Sequence, residues 1–333
     1  MRRAADERAY DRRIEPHRAE PRAHCYRMLG SAHDAEDALQ ETMLRAWRGL
    51  PKFEGRSSLR SWLYTIATNV CLRAIERRPK LVLPADHGPP ADAHDDLASP
   101  IAESVWIDPY PDEQLALDDA LAGPDAVYEQ RESVELAFIA ALQHLPARQR
   151  AVLILRDVLG FSAREVAAAL DVTPVSVDSA LQRAHKTVDA RLPERSQQAT
   201  LRTLGDVALR GIVDRFVAAL ERTDVDAVVA LLADDVALAM PPVPTWYQGR
   251  EAVAAFLARA PLASHHRWRL VPTRANGQPA FGTYLWDGER DRFIAREILV
   301  LTLAGRWIAG LTAFLSTEPF ERFGLPAALD RTR

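Results

Sequence analysis

The chain has 333 residues, of which 26% are charged and 48% are apolar, and its formal net charge is -4. The length predicts two or three domains, and the composition is ordinary for a globular protein in water. The longest apolar run, residues 298–304, is too short to cross a bilayer, and no apolar stretch follows the N-terminal arginines. We therefore expect no membrane span, no secretory signal and a cytoplasmic location.

Charge is distributed unevenly along the chain. The net charge is +6 over residues 1–80, -11 over 81–125, 0 over 126–195 and +1 over 196–333. A basic front followed by a segment without Lys or Arg is unlike a protein that coats DNA through bulk charge. It indicates a DNA reader whose nonspecific binding is held low.

Residues 12–80 are predicted to form a helical domain, because apolar residues recur at spacings of three and four. In the helix over residues 34–50, Leu44 falls on the polar face, where a solvated helix needs no leucine. It is either an isolated surface leucine or part of a ridge that binds a partner. The residues of this ridge, called the Leu44 ridge below, are Asp37, Gln40, Glu41 and Leu44.

The next predicted helix, residues 57–78, begins at a serine N-cap and carries Trp62, Thr65 and Asn69 along one edge. An indole beside a hydroxyl and an amide could hold an unstacked base, and Arg56 lies in the preceding loop where such a base could be received. The alternative for Trp62 is plain core packing.

The two cysteines, Cys25 and Cys71, each lie within an apolar helical pattern and lack a second Cys or His at metal-ligand spacing. We expect both to be core thiols, and we expect no metal site. A disulfide or redox switch between them is the alternative, and a cytoplasmic location argues against it.

Residues 81–125 contain seven prolines and eleven acidic residues. This composition predicts an extended, solvated linker. Within it, the segment WIDPYPDE (106–113) is either a soluble spacer or a proline-stiffened acidic strand that follows a basic channel on a partner.

Helical periodicity returns over residues 126–193. A short helix, a turn at Asp171 and a second helix with Thr173 as N-cap and Pro174 at its first position predict a helix-turn-helix within residues 160–188. A helical hairpin that binds no DNA is the alternative. The outward residues of the second helix, suited to phosphates and major-groove edges, are Ser176, Ser179, Arg183 and Lys186.

Residues 204–325 are predicted to form an α+β domain, with two or three amphipathic helices between 207 and 260 and strands at 266–272, 280–286 and 292–315. No carboxylate pair or His-Asp arrangement can be assigned to proton transfer from this sequence. The candidate ligand-pocket residues are Met240, Trp246, Tyr247, Trp268, Asn276 and Tyr284.

Three segments in this order, DAEDALQETMLRAW, GRSSLRSWLYTIATNVCL and GFSAREVAAALDVTPVSVDSALQRAH, resemble regions 2 and 4 of extracytoplasmic-function sigma factors. The WIDPYPDE segment resembles a signature of sigma factors that carry C-terminal extensions. The last domain resembles SnoaL-like, ketosteroid-isomerase-like cones. These resemblances imply a multidomain protein with two all-α sigma domains, the second containing the helix-turn-helix, and an α+β SnoaL-like cone.

The resemblance also implies partners and roles. Core RNA polymerase, through its β′ clamp and β flap, and promoter DNA are the implied partners, with the Leu44 ridge on the β′ coiled-coil clamp. Trp62 and Asn69 would lie at the melted -10 element, and the second helix of the helix-turn-helix would read the -35 element. Asp178 departs from the neutral or basic residue often found there, and its carboxylate should weaken nonspecific attraction to DNA.

The leading hypothesis is an alternative sigma factor without enzymatic activity or cofactor, whose last domain regulates it in cis and is a candidate for binding a small molecule. The alternatives are a DNA-binding protein fused to an isomerase or cyclase of the SnoaL-like type, and a regulator that acts without polymerase. An acidic residue inside the tail pocket, within hydrogen-bond reach of a ligand carbonyl, would favour the enzyme.

Overall fold

The computed structural model describes residues 13–78, 80–102, 105–115, 131–263 and 266–331. The chain forms two compact units. One comprises Met1–Leu81 and Glu113–Pro193, and the other comprises Val82–Asp112 and Glu194–Arg333. The linker between the two helical domains therefore belongs, up to Asp112, with the C-terminal domain. Within the described residues no helix is long and apolar enough to span a membrane.

The first half of the helical unit, called the front domain, packs three helices around a small apolar core. Serine side chains cap two of them: Ser31 accepts a hydrogen bond from the Asp34 amide, and Ser58 accepts one from the Ser61 amide. These caps satisfy amide groups that have no partner within the helix. The three helices are α1 (Ala19–Leu29), α2 (Ala32–Gly49) and α3 (Leu59–Ile75).

The second half of this unit, called the helix-turn-helix domain, ends in the predicted motif. Ser162 and Glu165 form a reciprocal capping box at its first helix, which ends at Asp171 in the left-handed region (φ 54°). Thr173 caps the second helix through the Ser176 amide. These local signals confirm the motif. The helices are α4 (Leu136–Gln143), α5 (Ala147–Leu153), continued by a π-helical turn (Ile154–Val158), α6 (Ala163–Leu170) and α7 (Pro174–Asp189).

A buried guanidinium ties the two helical domains together. Arg150 of α5 donates hydrogen bonds to the Met28 carbonyl at the end of α1 and to Gln143 and Leu145 around the end of α4. These bonds satisfy carbonyl groups that the helix ends leave without partners. Removing the guanidinium would leave them buried and unpaired.

Both cysteines are buried and free, as expected for core thiols. Burial raises the pKa of the Cys71 thiol, and the adjacent Cys25 raises it further. A thiol held in its protonated form is a poor nucleophile, so neither oxidation nor metal binding is favoured at this position.

The second unit consists of a C-terminal domain, called the tail domain below, and the linker that docks on it. The tail domain is a seven-stranded sheet covered by helices. The strand order is β2-β1-β6-β5-β4-β3, with β7 paired to β5, and the β1–β6 pair is parallel. Phe216 of α8 packs on Phe281 of β4 between helix and sheet. The elements are α8 (Gln197–Glu221), α9 (Val225–Val229), β1 (Leu232–Met240), β2 (Val243–Gln248), α10 (Arg250–Arg259), β3 (Trp268–Ala275), β4 (Gln278–Asp287), β5 (Arg292–Ala304), β6 (Trp307–Phe314) and β7 (Ala328–Asp330).

One part of the sequence prediction for this domain was incomplete. Residues 232–248 lie in the stretch expected to hold only helices, but they form β1 and β2. The Leu and Ala residues of β1 favour a helix locally, whereas pairing with β2 and β6 places them in the sheet. Tertiary context overrides local propensity here.

The described linker is solvated over most of residues 85–100, as expected, but it is buried over residues 106–112. Trp106, Ile107 and Tyr110 are almost completely buried. Their large apolar side chains alternate with the prolines that suggested a spacer, and burial of these side chains favours docking. Residues 116–125 of the predicted linker lie outside the described residues.

Candidate polymerase, promoter and ligand sites

The Leu44 ridge lies on the exposed face of α2. Asp37 and Gln40 are exposed, Glu41 is half-buried and pairs with Arg45 at 2.6 Å, and Leu44 is 40% exposed. Leu44 is not isolated, because Trp47 one turn later is 37% exposed. The sequence prediction missed Trp47, although its spacing of three from Leu44 places it on the same face. Two adjacent exposed apolar side chains favour a partner-binding surface.

The edge of α3 is partly committed to packing. The half-buried Trp62 ring lies 5.0 Å from the Phe53 ring, centre to centre, and rests on Gly49, where a Cβ would come within 2.9 Å of the indole. Packing of this kind fixes the orientation of the indole and leaves part of it accessible. Core packing and base contact are therefore compatible for Trp62.

The remaining edge residues are positioned by hydrogen bonds. The Thr65 hydroxyl donates to the Ser61 carbonyl at 2.9 Å, and the side-chain amide of Asn69 donates to the Thr65 carbonyl at 2.9 Å. Arg56, in the loop before α3, is exposed and pairs with Glu54 at 2.8 Å. An exposed ion pair of this kind contributes little to stability, so the guanidinium is available for phosphate.

Part of the α3 edge faces the helix-turn-helix domain. Thr65 lines a narrow crevice with Phe161 and Glu165. The Ser61 hydroxyl donates to Glu165 at 3.4 Å, and the rings of Tyr64 and Phe161 lie 5.4 Å apart. Thr65, a candidate DNA-binding residue, is thus partly covered by the helix-turn-helix domain.

The second helix of the helix-turn-helix presents a polar outer face. Val177, Ala184 and Val188 are buried as expected, and Leu181 is half-buried. Near the start of α7, Val175 is 75% exposed, and the sequence prediction had not singled it out. An apolar group at the N-terminal end of such a helix can contact a thymine methyl group. The predicted outward residues are exposed, except for the half-buried Ser179: Ser176, Ser179, Arg183 and Lys186.

A cavity of about 600 Å³ lies in the tail domain between the sheet and helices α8 and α10. Its size is within the usual range for small-molecule sites. Of the six predicted pocket residues, Met240 and Trp268 line it.

The other four predicted pocket residues do not line this cavity, because each is buried in a structural contact. The Trp246 indole donates to the Gly88 carbonyl, and the Tyr247 ring stacks on Phe256 at 4.7 Å. The Tyr284 hydroxyl donates to the Pro326 carbonyl. Asn276 holds the linker, as described below.

The cavity contains an acidic residue that the sequence did not reveal. Glu297 of β5 lines it, opposite Thr283 of β4 in the strand register. Burial raises the pKa of Glu297 to about 7, while the neighbouring Arg296 charge and the Thr283 hydroxyl oppose this rise. Near neutral pH about half of the molecules therefore carry a protonated Glu297 carboxyl, and the other half carry the carboxylate anion.

The linker is held on the tail domain by the DPYPD segment. The Tyr110 amide donates to the Asn276 side-chain oxygen at 2.9 Å, and the Asn276 amide donates to the Tyr110 carbonyl at 3.0 Å. The buried Asp112 carboxylate accepts from the Gly277 amide at 2.7 Å and from Arg274 at 3.1 Å. The Asn276-Gly277 turn between β3 and β4 therefore receives this segment. The contact between the segment and this turn is called the DPYPD clasp below.

Upstream linker residues add further contacts with the tail domain. The Ala91 amide donates to the Trp246 carbonyl, and the Ile101 amide donates to the Pro242 carbonyl. Val82 pairs with Trp106 in a parallel bridge, so the docked linker closes on itself.

Comparison with known proteins relates each of the three domains to a known family. The Sigma-70 region 2 family matches residues 14–80, the Sigma-70, region 4 family matches residues 135–188, and the SnoaL-like domain family matches residues 213–309. The chain is 43% identical over 329 residues, 98% of its length and 86% of the relative, to the ECF RNA polymerase sigma factor SigG of Mycobacterium tuberculosis. The chain is an extracytoplasmic-function sigma factor.

More distant relatives agree with this assignment. The ECF RNA polymerase sigma factor SigW of Bacillus subtilis is 28% identical over 171 residues, 50% of this chain and 80% of that protein. The crystal structure of the Mycobacterium tuberculosis extracytoplasmic function sigma factor SigJ superposes with a TM-score of 0.60 at 22% identity, covering 94% of this chain and 99% of that chain, and shows the same fold.

As a sigma factor, the chain binds core RNA polymerase and promoter DNA and directs transcription initiation. The front domain is region 2, and the helix-turn-helix domain is region 4. The Leu44 ridge and the α3 edge lie within the region 2 match, and α7 lies within the region 4 match apart from its last residue.

Proposed function

We propose that this sigma factor divides promoter recognition among the surfaces described above. The Leu44 ridge with Trp47 docks on the coiled-coil clamp of the polymerase β′ subunit, and region 4 contacts the β flap. The α3 edge, with Arg56 in the loop before it, holds the melted -10 element, and the outer face of α7 reads the -35 element. Exposure of Leu44 and Trp47 and the polar outer face of α7 support these assignments. As a polymerase subunit, the protein would act in the cytoplasm.

Asn69→Ala is expected to impair promoter opening more than initial binding, because Asn69 lies on the edge proposed to hold the unstacked strand. Loss of one amide contact costs about 1 kcal/mol, or about fivefold in affinity for DNA with a single-stranded -10 element. Binding to the -35 duplex should stay unchanged and is the internal control. Normal permanganate reactivity of the -10 thymines in the variant would show that Asn69 has no role in melting.

The tail domain is proposed to regulate region 2 and region 4 in cis by holding the linker. The DPYPD clasp carries this proposal, because it joins the segment between the two DNA-binding regions to the tail domain. The buried Asp112 carboxylate and the paired bonds between Tyr110 and Asn276 make the contact specific. Tethering also gives the tail domain a high effective concentration at the linker.

Docking shortens the reach of the linker. Residues 82–112 would span about 100 Å if fully extended, at about 3.3 Å per residue. In the docked linker Val82 pairs with Trp106, and the short stretch to Asp112 limits the separation of its two ends to about 25 Å. A docked linker therefore shortens the distance by which regions 2 and 4 can separate, and a released one lengthens it.

Close packing of regions 2 and 4 hinders DNA binding at the α3 edge. Thr65 lines the crevice against Phe161 and Glu165, so the α3 edge is partly covered. Separation of the regions uncovers it. The proposed regulation is thus an equilibrium between a clasped, closed arrangement and a released, open one, which a partner shifts by binding one state more tightly.

The tail domain is proposed to regulate without catalysis. Proton abstraction next to a carbonyl needs a base and a separate donor at the developing oxyanion. Among the described lining residues Glu297 is the sole carboxyl, and the Trp268 indole N–H already donates to the Pro261 carbonyl at 2.6 Å. The Thr283 hydroxyl beside Glu297 is an alcohol, which is a weaker donor to an oxyanion than the phenol and protonated carboxyl of a ketosteroid isomerase site. Turnover of a ketone by the purified protein would overturn this assignment.

Asp112→Ala is expected to release the clasp and to raise promoter binding by the free sigma factor about three- to tenfold. The substitution leaves the buried Gly277 amide unpaired and removes the ion pair with Arg274, which costs about 2–3 kcal/mol of docking free energy. The readouts are promoter binding and reconstituted transcription with core polymerase. Hydrogen exchange of residues 105–112 measures release directly.

The matched control is Asp287→Ala. Asp287 also accepts two backbone hydrogen bonds and pairs with Arg290, but it does so in the turn after β4, among residues that do not contact the linker. It should change neither linker exchange nor transcription. Faster linker exchange in Asp112→Ala with unaltered promoter binding and transcription would refute regulation through the clasp. Point variants are preferable to deletion of the tail domain, because deletion exposes the buried Trp106, Ile107 and Tyr110.

A further inference from the structure

Among the polar residues that line the tail cavity, one carboxyl and one hydroxyl form a cross-strand pair. Glu297 of β5 and Thr283 of β4 are directly opposite in the register, and both line the cavity. Thr283 is 1% exposed, and its hydroxyl interacts with the Glu297 carboxyl without forming a hydrogen bond of normal geometry with any described residue. A buried hydroxyl whose hydrogen bonding is incomplete is costly, so an oxygen atom of a ligand that completes the hydrogen bonding of this pair would be stabilised here.

Most of the other walls of the cavity are apolar, and Ser316 and Thr317 after β6 contribute the other hydroxyl groups of the lining. Helix α8 contributes Phe216, and α10 contributes Phe256 and Leu257. Of the polar groups, the Trp268 indole N–H and the His266 ring both bond to the Pro261 carbonyl. A ligand seated here would meet hydrophobic surface over most of its area and a few polar groups.

The charges around the cavity decide the kind of ligand. Apart from Glu297, the titratable groups among the described lining residues are His266, before β3, and the exposed Arg296 of β5. The Arg296 guanidinium disfavours a second cation nearby. Glu297 is without an ion pair among the described residues, and in its neutral form it is a hydrogen-bond donor, as is the Thr283 hydroxyl. Two adjacent donors that face the same cavity match a carbonyl oxygen.

We propose that the tail cavity binds an uncharged, largely apolar small molecule through one acceptor oxygen, which takes hydrogen bonds from the neutral Glu297 carboxyl and the Thr283 hydroxyl. The site is separate from the DPYPD clasp, whose receptor residues Arg274, Asn276 and Gly277 do not line the cavity. Binding can therefore be measured on the full-length protein whether or not the tail domain regulates transcription.

The test uses the neutral fluorescent ketone prodan with the full-length protein. With a pKa of about 7, the protonated fraction of the Glu297 carboxyl falls about tenfold between pH 6 and pH 8. Prodan affinity is expected to fall by the same factor, because the anionic carboxyl cannot donate. A prodan analogue with a methylene in place of the carbonyl should bind with an affinity that does not change with pH.

Two variants separate the contributions of the donors. Glu297→Gln keeps an N–H donor and cannot titrate, so the affinity at pH 6 should stay within about threefold and the pH dependence should vanish. Thr283→Val keeps the shape and loses the hydroxyl, so affinity should fall about threefold or more at both pH values. Glu318→Gln, an exposed carboxyl outside the lining, is the control and should behave as the wild type. Near-UV circular dichroism confirms that each variant is folded.

Three results would overturn the proposal. The first is no prodan binding up to its solubility limit at pH 6. The second is equal pH dependence for prodan and its methylene analogue, or a pH dependence that survives in Glu297→Gln. The third is binding of a naphthylethylammonium cation that tightens as pH rises, which would assign the cavity to amines paired with the Glu297 carboxylate.

Discussion

Replacing Leu44 by arginine is expected to weaken association with core RNA polymerase by about 30- to 1000-fold. The lost burial of a leucine and the desolvation of a new charge at the contact together cost about 2–4 kcal/mol. Leu44 is already 40% exposed on α2, so the free energy of unfolding should change by less than about 0.5 kcal/mol. Surface plasmon resonance on immobilised core polymerase measures the loss, and thermal unfolding checks the fold.

The matched control for this substitution is Val207→Arg. Val207 is 81% exposed on α8 of the tail domain, so the same change of an exposed apolar residue to arginine should leave polymerase binding intact. Trp47→Ala should weaken binding as well, because Trp47 shares the exposed face of α2 with Leu44. Core polymerase that retains Leu44→Arg as tightly as the wild type would remove the ridge from the interface.

Arg183→Ala is expected to lower affinity for the -35 element about 5- to 150-fold and to relax specificity there. An arginine that reads a guanine edge contributes about 1–3 kcal/mol of discrimination. Arg183 is exposed on α7, away from the buried Val177 and Ala184. Binding to duplexes with single substitutions across the element, measured at one salt concentration, identifies the position where discrimination is lost.

Two further variants distinguish base reading from attraction to phosphate. Lys186→Ala, on the same face, should weaken binding to all sequences alike and reduce the salt dependence. Arg210→Ala removes an exposed arginine from α8 in the tail domain and should change neither property. If Arg183→Ala weakened a scrambled element as much as the authentic one, Arg183 would be a phosphate contact.

The helix-turn-helix was predictable because its signals are local. Ser162 and Glu165 cap α6 within one turn, and Thr173 with Pro174 starts α7. Such signals depend on the neighbouring residues alone, so the sequence carries them completely. The exposed position of Leu44 was predictable for a similar reason, since helical periodicity sets it.

The tail cavity was only partly predictable because strand register decides which side chains meet. Glu297 becomes a pocket residue through its pairing with Thr283, a neighbour 14 positions earlier in the chain. A one-residue change of register would point it to the opposite face of the sheet. Buried aromatic residues such as Tyr284 were indistinguishable from pocket residues in the sequence, since both are large and apolar.

The buried part of the linker, residues 106–112, was misjudged because its composition and its contacts favour different conclusions. Prolines and acidic residues are typical of solvated segments, and they outnumber the buried Trp106 and Tyr110. What holds the segment is a turn at Asn276-Gly277, more than 160 positions later, with Asp112 as its acidic partner. A contact between residues so far apart in the chain produces no periodic pattern in the sequence.

The separation between the clasp and its receptor also sets an order of events during synthesis. Regions 2 and 4 leave the ribosome before the turn that receives Tyr110 and Asp112 has been translated. At about 5–20 residues per second, the roughly 85 residues from Pro193, where the helix-turn-helix domain ends, to Gly277 take about 4–17 s. For that interval each new molecule carries complete DNA-binding regions and an undocked linker. Newly made protein is therefore the form most open to capture by polymerase, and the rate of translation through the tail domain determines how long this form persists.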